Sequence, residues 1–208
     1  MRSNLAVFDV KYGNLQFQTS GLNLLPPINA SVVLVNAGSA KAKGFEWEGT
    51  FLPMQGLTVT ANTGYTDFKY TSIAPVIGTL TTFLPVQRPK WTAAGAVQYD
   101  TAEVLAGGHM TFRVDANFRG KTRLSSIATP VVQSITTVKD SWIVNGRVAL
   151  ADFDLGGGKA TLAVWGRNLL DNKDLQNVAG IQLGGLGAIY ATMYERARTY
   201  GVDLTMDF

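Results

Sequence analysis

From His109 to Arg119 the chain alternates. Met110, Phe112, Val114, Ala116 and Phe118 fall on one parity; His109, Thr111, Arg113, Asp115, Asn117 and Arg119 fall on the other, and Lys121 and Arg123 extend the polar side. A period of two belongs to a β-strand, whose successive side chains point to opposite faces. The pattern returns along the chain. Phe45, Trp47, Gly49 and Phe51 alternate with Glu46, Glu48 and Thr50. Trp91, Ala93, Gly95, Val97 and Tyr99 do so with Thr92, Gln98 and Asp100. Trp142, Val144 and Val148 alternate with Asn145 and Arg147, and Tyr200, Val202, Leu204, Met206 and Phe208 with Asp203, Thr205 and Asp207. Near the start Ala6, Phe8, Val10 and Tyr12 form the apolar parity against Asp9 and Lys11. Eight strands are expected, over about 4–18, 40–52, 56–70, 89–100, 108–122, 138–151, 159–170 and 195–208. Most reach the roughly 9–11 residues with which a tilted strand crosses a bilayer.

The connections alternate as well. Long segments (19–39, 71–88, 123–137 and 171–194) take turns with short ones (53–55, 100–107 and 152–158). An up-and-down antiparallel meander then carries all long loops at one end and all short turns at the other, the asymmetry of an outer-membrane barrel.

Alternation alone does not say which face is wet, because a soluble sandwich turns its apolar face inward and a membrane barrel turns it to lipid. Composition helps to decide. Charged residues make up 16% of the 208, against roughly 25% in an ordinary soluble domain, and mean hydropathy is +0.10. The apolar parity is rich in Gly and Ala (Gly49, Ala61, Ala93, Gly95, Ala116, Gly146), thin material for a packed core but acceptable against fluid lipid. Its aromatics (Tyr12, Phe51, Tyr65, Trp91, Tyr99, Phe118, Trp142, Phe208) stand towards strand ends, as interfacial girdles do. Lipid-facing or girdle positions are therefore expected at Phe45, Trp47, Trp91, Tyr99, Phe112, Phe118, Trp142, Tyr200 and Phe208. Lumen-facing positions are expected at Glu46, Glu48, Arg113, Asp115, Arg119, Asn145, Arg147 and Asp203. Two uncharged stretches, 12–40 and 175–194, hold Pro26-Pro27 or several glycines with Asn and Gln, and neither reads as a spanning helix. Two other architectures remain: a self-contained small outer-membrane barrel with a structural or passive-pore role, and a soluble all-β binding module.

Candidate chemistry is sparse. The chain has no Cys and one His, which removes disulfide scaffolds, thiolate nucleophiles and multi-histidine zinc sites. A net charge of +3 is too weak to argue for nucleic acid. Gly156-Gly157-Gly158-Lys159 lacks the spacing and the Ser/Thr of a phosphate loop, and Gly184-Gly185-Leu186-Gly187 precedes no helical pattern. His109 reads as a polar residue near a turn, the Asn29-Ala30-Ser31 sequon carries little weight, and Glu46 and Glu48 read as structural carboxylates of one strand face. No catalytic, cofactor or metal site is expected, and the chain is not read as an enzyme.

Several segments resemble the barrel of TonB-dependent outer-membrane receptors. Asn36-Ala37-Gly38-Ser39-Ala40 followed by Gly44-Phe45-Glu46-Trp47-Glu48 is similar to that family's Asn-x-Gly-x-Ala and Gly-x-Glu-x-Glu. Pro53-Met54-Gln55-Gly56-Leu57 and Gly64-Tyr65-Thr66-Asp67-Phe68 resemble its turn and next strand, and Arg88-Pro89-Lys90-Trp91 the start of the following one. Trp165-Gly166-Arg167-Asn168-Leu169-Leu170-Asp171-Asn172 resembles the penultimate strand, and Arg196 through Phe208 the last strand, ending in an aromatic residue. The resemblance implies an all-β, antiparallel transmembrane barrel of which residues 1–208 supply about eight of 22 strands, the C-terminal part. It implies uptake of a large scarce ligand of the siderophore, cobalamin or saccharide class. It also implies as partners outer-membrane lipid, the plug and upstream strands, the barrel assembly machinery, and TonB only through the plug. Against that family the sequence lacks a plug and a signal peptide, which reads as a receptor fragment of a Gram-negative outer membrane.

Overall fold

The computed structural model describes residues 1–19, 33–77, 79–182 and 188–208. The Asn29-Ala30-Ser31 sequon and Gly184-Gly185-Leu186-Gly187 lie outside the described residues.

Eight strands form one antiparallel sheet: β1 (Arg2–Thr19), β2 (Val33–Met54), β3 (Leu57–Ile73), β4 (Trp91–Leu105), β5 (Gly108–Arg119), β8 (Ser141–Asp154), β9 (Lys159–Arg167) and β12 (Thr199–Asp207). Their order, β1-β2-β3-β4-β5-β8-β9-β12, is that of a meander with every neighbour consecutive in the sheet. Short turns join β2 to β3, β4 to β5 and β8 to β9 at one end; the longer connections share the other. Among the described residues β1 ladders only with β2 and β12 only with β9, so the sheet is open. A self-contained eight-strand barrel would need a β1–β12 ladder, since backbone groups left bare in hydrocarbon are prohibitively costly.

The long connections hold structure that periodicity alone does not signal. β2 begins at Val33, so the expected loop 19–39 ends as strand. Within 123–137 lie the short pair β6 (Thr122–Arg123) and β7 (Thr137–Val138) and a helix, α1 (Pro130–Thr136), opened by a proline where the missing N–H costs nothing. Within 171–194 stands a second hairpin, β10 (Leu175–Gln182) and β11 (Ala188–Tyr194). β1, β2 and β3 are 18, 22 and 17 residues long, well beyond what a bilayer needs.

Two local devices let the backbones meet. Phe8 stands opposite Gly44, and its ring lies 2.7 Å from where a Cβ of residue 44 would be; that Cβ would also overlap the Tyr65 carbonyl oxygen. At the β9–β12 side, Gly166 leaves room for Leu169, whose N–H donates to the Val144 carbonyl oxygen at 2.8 Å, and for the Tyr200 ring. The turn that brings Leu169 back is held by Asn168, which is buried and sits at φ 50°, a left-handed conformation that Asn tolerates better than most residues. Its Nδ2 donates to the carbonyl oxygens of Asn172 and Arg196, both at 2.8 Å, and its Oδ1 accepts the Asn172 N–H at 2.9 Å. Asp171, in the same turn, pairs with Lys173 at 3.2 Å and accepts the Arg198 N–H at 3.4 Å. The hydrogen bond from Lys173, then that from the Arg198 backbone, holds the Asp171 carboxyl below its usual range.

These contacts carry three expectations. Gly44→Ala should destabilise the sheet by about 1–3 kcal/mol, because overlap with backbone cannot be relieved by a rotamer. Gly157→Ala, where nothing lies within 4 Å, should be near neutral; denaturant unfolding in detergent followed by circular dichroism measures both. Asn168→Ala should cost about 1–3 kcal/mol by leaving buried partners unpaired, read from the same unfolding curves. Because the Asp171 pKa is depressed in the folded chain, its contribution is present above about pH 4, the unfolded carboxylate value. It should fade as pH falls through the lower native value, seen as lost exchange protection of the Arg198 amide, and Lys173→Gln should remove most of this dependence.

Candidate functional site

Directly paired residues of an antiparallel ladder point to the same face, so the register sorts the side chains without further assumption. One row runs Ala6, Glu46, Gly64, Thr92, Arg119, Ser141. Another runs Asn4, Glu48, Asn62, Ala94, Asn117, Ile143 on the same side. Further towards the short turns come Ala96, Asp115, Asn145, then Gln98, Arg113, Arg147, Trp165, Gly201, and then Asp100, Thr111, Ala149, Ala163, Asp203. All eight residues expected to face a lumen thus lie on one face.

Five of them, Glu48, Arg113, Asp115, Arg119 and Asn145, make polar contacts with neighbouring residues. Glu48 accepts from Asn4 Nδ2 at 2.6 Å. Arg113 donates to Gln98 Oε1 at 3.3 Å and stands 3.8 Å from Asp115, which accepts from Asn145 Nδ2 at 2.7 Å. Asn145 Oδ1 in turn accepts the Asn168 N–H at 3.0 Å, so the face is tied to the β9–β12 turn. Arg119 Nη2 donates to the Leu175 carbonyl oxygen at 3.3 Å and ties the β10–β11 hairpin to the wall. Arg113 and Arg147 are directly paired across β5 and β8. Glu46 and Arg119 share a row but stand three strands apart, about 14 Å at the usual strand spacing, and do not meet. His109 lies at the short-turn end, 4.0 Å from Asp152, near a turn as expected.

The opposite face carries Leu5, Trp47, Thr63, Ala93, Phe118, Trp142 in one row, and Val7, Phe45, Tyr65, Trp91 in the next row towards the loops. Towards the short turns follow Val97, Val114, Gly146, Gly166, Tyr200 and then Tyr99, Phe112, Val148, Val164, Val202. These apolar residues are uncovered: Val114 is 54% exposed and Val202 67%. Trp91 opens β4, Trp142 and Tyr200 stand second in β8 and β12, and Phe118 is second from the end of β5. The aromatics therefore gather at one level, with Tyr65 and Trp91 centroids 4.9 Å apart and Phe118 and Trp142 also 4.9 Å apart. Phe208 follows β12 and is almost wholly exposed; no pairing assigns it a face.

One sequence expectation needs correction. Ala6, Phe8, Val10 and Tyr12 form the apolar parity of β1, but the register pairs them with Glu46, Gly44, Ala42 and Ala40, on the same face as Glu46. Tyr12 is not on the face of the aromatic girdle. For Phe8, Val10 and Tyr12 the physical reason is that β1 to β3 continue past the aromatic level, and beyond it the two faces exchange character; at Ala6 the other parity, Leu5 and Val7, is apolar as well. The face bearing Phe45 becomes ionic, with Asp9, Lys43 and Lys41, while the face bearing Glu46 becomes aromatic. There Phe68 stands 6.3 Å from Tyr12 and 5.4 Å from Tyr70; Phe17 lies 5.5 Å from Tyr70 and 5.4 Å from Phe83. The Arg88 guanidinium sits 4.1 Å above the Phe68 ring. Beside it Arg88, Lys90, Lys121 and Arg123 line a pocket floored by Phe68, Pro85 and Trp91. Sequence reasoning missed this cluster because its members come from three separated segments; the one visible signal was the aromatic spacing Phe68-Lys69-Tyr70. No helix among the described residues is long and apolar enough to cross a membrane.

Comparison with known proteins agrees with this geometry. A family model described as TonB dependent receptor-like, beta-barrel, matches residues 2–169. No curated protein matches the sequence. Among solved structures, the ferric yersiniabactin uptake receptor FyuA of Yersinia pestis superposes with a TM-score of 0.71 at 16% identity, over 99% of this chain and 27% of the receptor. BauA, the ferric preacinetobactin receptor of Acinetobacter baumannii, gives 0.68 at 17% over 99% and 27%. FpvA of P. aeruginosa gives 0.64 at 18% over 98% and 24%. The chain spans about a quarter of the length of these structures. The match over most of its length, on an open meander with one polar and one apolar face, makes this chain a member of the TonB-dependent receptor β-barrel family.

Proposed function

We propose that the chain forms the C-terminal part of the wall of an outer-membrane uptake receptor in a Gram-negative bacterium. The face bearing Phe112, Val114, Trp142 and Val202 lies on acyl chains. The face bearing Glu46, Glu48, Arg113, Asp115, Arg119, Asn145, Arg147 and Asp203 lines the aqueous interior against a plug. The observation that carries this reading is the separation of the faces below the aromatic level: uncovered valines and leucines on one side, charged and amide side chains on the other. A lipid-facing Arg or Lys near midplane costs about 2–4 kcal/mol, enough to keep these charges on one parity. A soluble module would leave the same apolar face in water.

The partners follow from that placement. The free edges of β1 and β12 take the remaining strands of the barrel, assembled by the barrel assembly machinery, and TonB acts through the plug. The ligand is large and scarce, of the siderophore, cobalamin or saccharide class. The relatives named above are ferric-chelate receptors, and the Phe68–Tyr70–Phe83 cluster with Arg88 offers rings and a cation on the interior face at the loop end. These features favour a ferric chelate among the three.

Because the chain contains no Cys, single cysteines report each position cleanly. In lipid vesicles Arg113→Cys and Asp203→Cys should react with a membrane-impermeant maleimide, whereas Val114→Cys and Val202→Cys should not. Brominated acyl chains should quench the fluorescence of Trp142. Equal labelling of all four cysteines, or protection of the arginine and aspartate positions only, would refute the assignment of faces.

A further inference from the structure

The face that carries the aromatic girdle ends, on the loop side, in a row of cations that the neighbouring carboxylates only partly compensate. Three successive rows can be read across β1, β2 and β3. The first is Val7, Phe45, Tyr65, continued by Trp91. The second is Asp9, Lys43, Asp67. The third is Lys11, Lys41, Lys69, three lysines directly opposite one another in unbroken register. Like charges directly opposite on neighbouring strands are destabilising, so such a row is unexpected in a sheet selected for stability alone.

The second row does not neutralise the third. Asp9 is shared by Lys41 at 3.4 Å and Lys43 at 3.2 Å, and Asp67 by Lys69 at 2.7 Å and Lys90 at 2.9 Å. Two carboxylates therefore serve four lysines, and Lys11 has no carboxylate within ion-pair distance among the described residues. Each pair of the row is open to water on at least one side, with Lys41 34% and Asp9 51% accessible, and Lys69 70% and Asp67 24%. Pairs so open to water hold their partners weakly, and the lysines remain available to another anion.

The height of the row identifies the anion. The girdle marks the boundary between hydrocarbon and headgroups. The lysine row lies four residues beyond it, roughly 14 Å along the strand and about 10 Å along the membrane normal for a strand tilted near 40°. That level, on the outward face, belongs to lipid headgroups. We infer that Lys11, Lys41 and Lys69 form a binding row for the phosphate groups of anionic lipid packed against this wall. The inference rests on the proposed orientation of the faces. It assigns a partner to residues that ligand uptake does not use.

The test is partition of the refolded chain from detergent into vesicles, followed by tryptophan fluorescence. The vesicles are phosphatidylcholine alone, or phosphatidylcholine with about one-fifth phosphatidylglycerol. With the β1 edge of one copy paired to the β12 edge of the next, as bare edges in hydrocarbon require, the unaltered chain should enter both, with roughly tenfold or greater preference for the anionic vesicles at low salt, at about one factor of five per lysine engaged. The triple variant Lys11→Gln, Lys41→Gln, Lys69→Gln should enter neutral vesicles equally well and lose that preference. Lys121→Gln, Lys139→Gln, Lys159→Gln, which removes the same charge elsewhere, should keep it. Retention of the preference by the first variant, or equal loss in the second, overturns the inference. Specific suppression by inorganic phosphate, beyond chloride of equal ionic strength, would assign the row to free phosphate and overturn it too. Insertion with no quenching of Trp142 by brominated acyl chains would instead refute the orientation itself.

Discussion

Every backbone N–H and C=O in hydrocarbon must find a partner within the protein, and this demand organises the molecule. It forces long strands into continuous antiparallel ladders, and ladders fix which side chains share a face. Once Glu46 is paired with Gly64, Gly64 with Thr92 and Thr92 with Arg119, the polar character of that row is settled across four strands. The alternation of Arg113 with Phe112 and Val114 is the side-chain consequence of a backbone constraint. So is the incompleteness of the sheet. An edge such as β1 or β12 is a row of unsatisfied groups, and in a bilayer it calls for another strand.

Beyond the aromatic row the character of the two faces changes, as the proposed exit of the strands from hydrocarbon would require. Below the Phe45–Tyr65–Trp91 row, apolar side chains point one way and charges the other. Above it, Asp9, Lys41 and Lys43 occupy the formerly apolar face, and Tyr12, Phe68 and Tyr70 occupy the formerly polar one. The same strand thus serves two solvents in sequence. In the proposed orientation the outer face meets acyl chains in its lower part and headgroups and water in its upper part, where charge is cheap. The face bearing Glu46 builds an aromatic cluster above the girdle instead. Extending β1, β2 and β3 past the bilayer is what makes both surfaces possible.

The sequence made the sheet legible because the period of two is a property of each strand separately. The parity of Arg113, Arg147 and Asp203 needed no knowledge of tertiary structure. The β1 error had a definite cause. Val10 and Tyr12 alternate with Lys11 as well as Val114 does with Arg113, and alternation does not say whether a residue is below or above the girdle. Only the pairing of Tyr12 with Ala40 resolves that. The hairpin β10–β11 was obscured for another reason: Gly and Asn dilute its apolar content, so 171–194 read as loop. Asn168 was visible as part of a motif but not as a hub, since its role depends on a single residue at φ 50° that no periodicity encodes.

The interior network and the turn at Asn168 then explain each other. Asn145 joins Asp115 through its amide nitrogen and Asn168 through its amide oxygen, so the polar face of β5 and β8 is fastened to the segment that reverses the chain between β9 and β12. Leu169, delivered by that same turn, packs over Gly146 and Gly166 on the apolar face. One short segment thus clamps both faces of the sheet, a polar contact inside and an apolar one outside. Gly166, Asn168 and Leu169 all belong to the segment that resembles the family's penultimate strand. A glycine to admit the leucine, an asparagine to hold the left-handed turn and a leucine to cover the glycines are three parts of one joint, and altering any of them disturbs the other two.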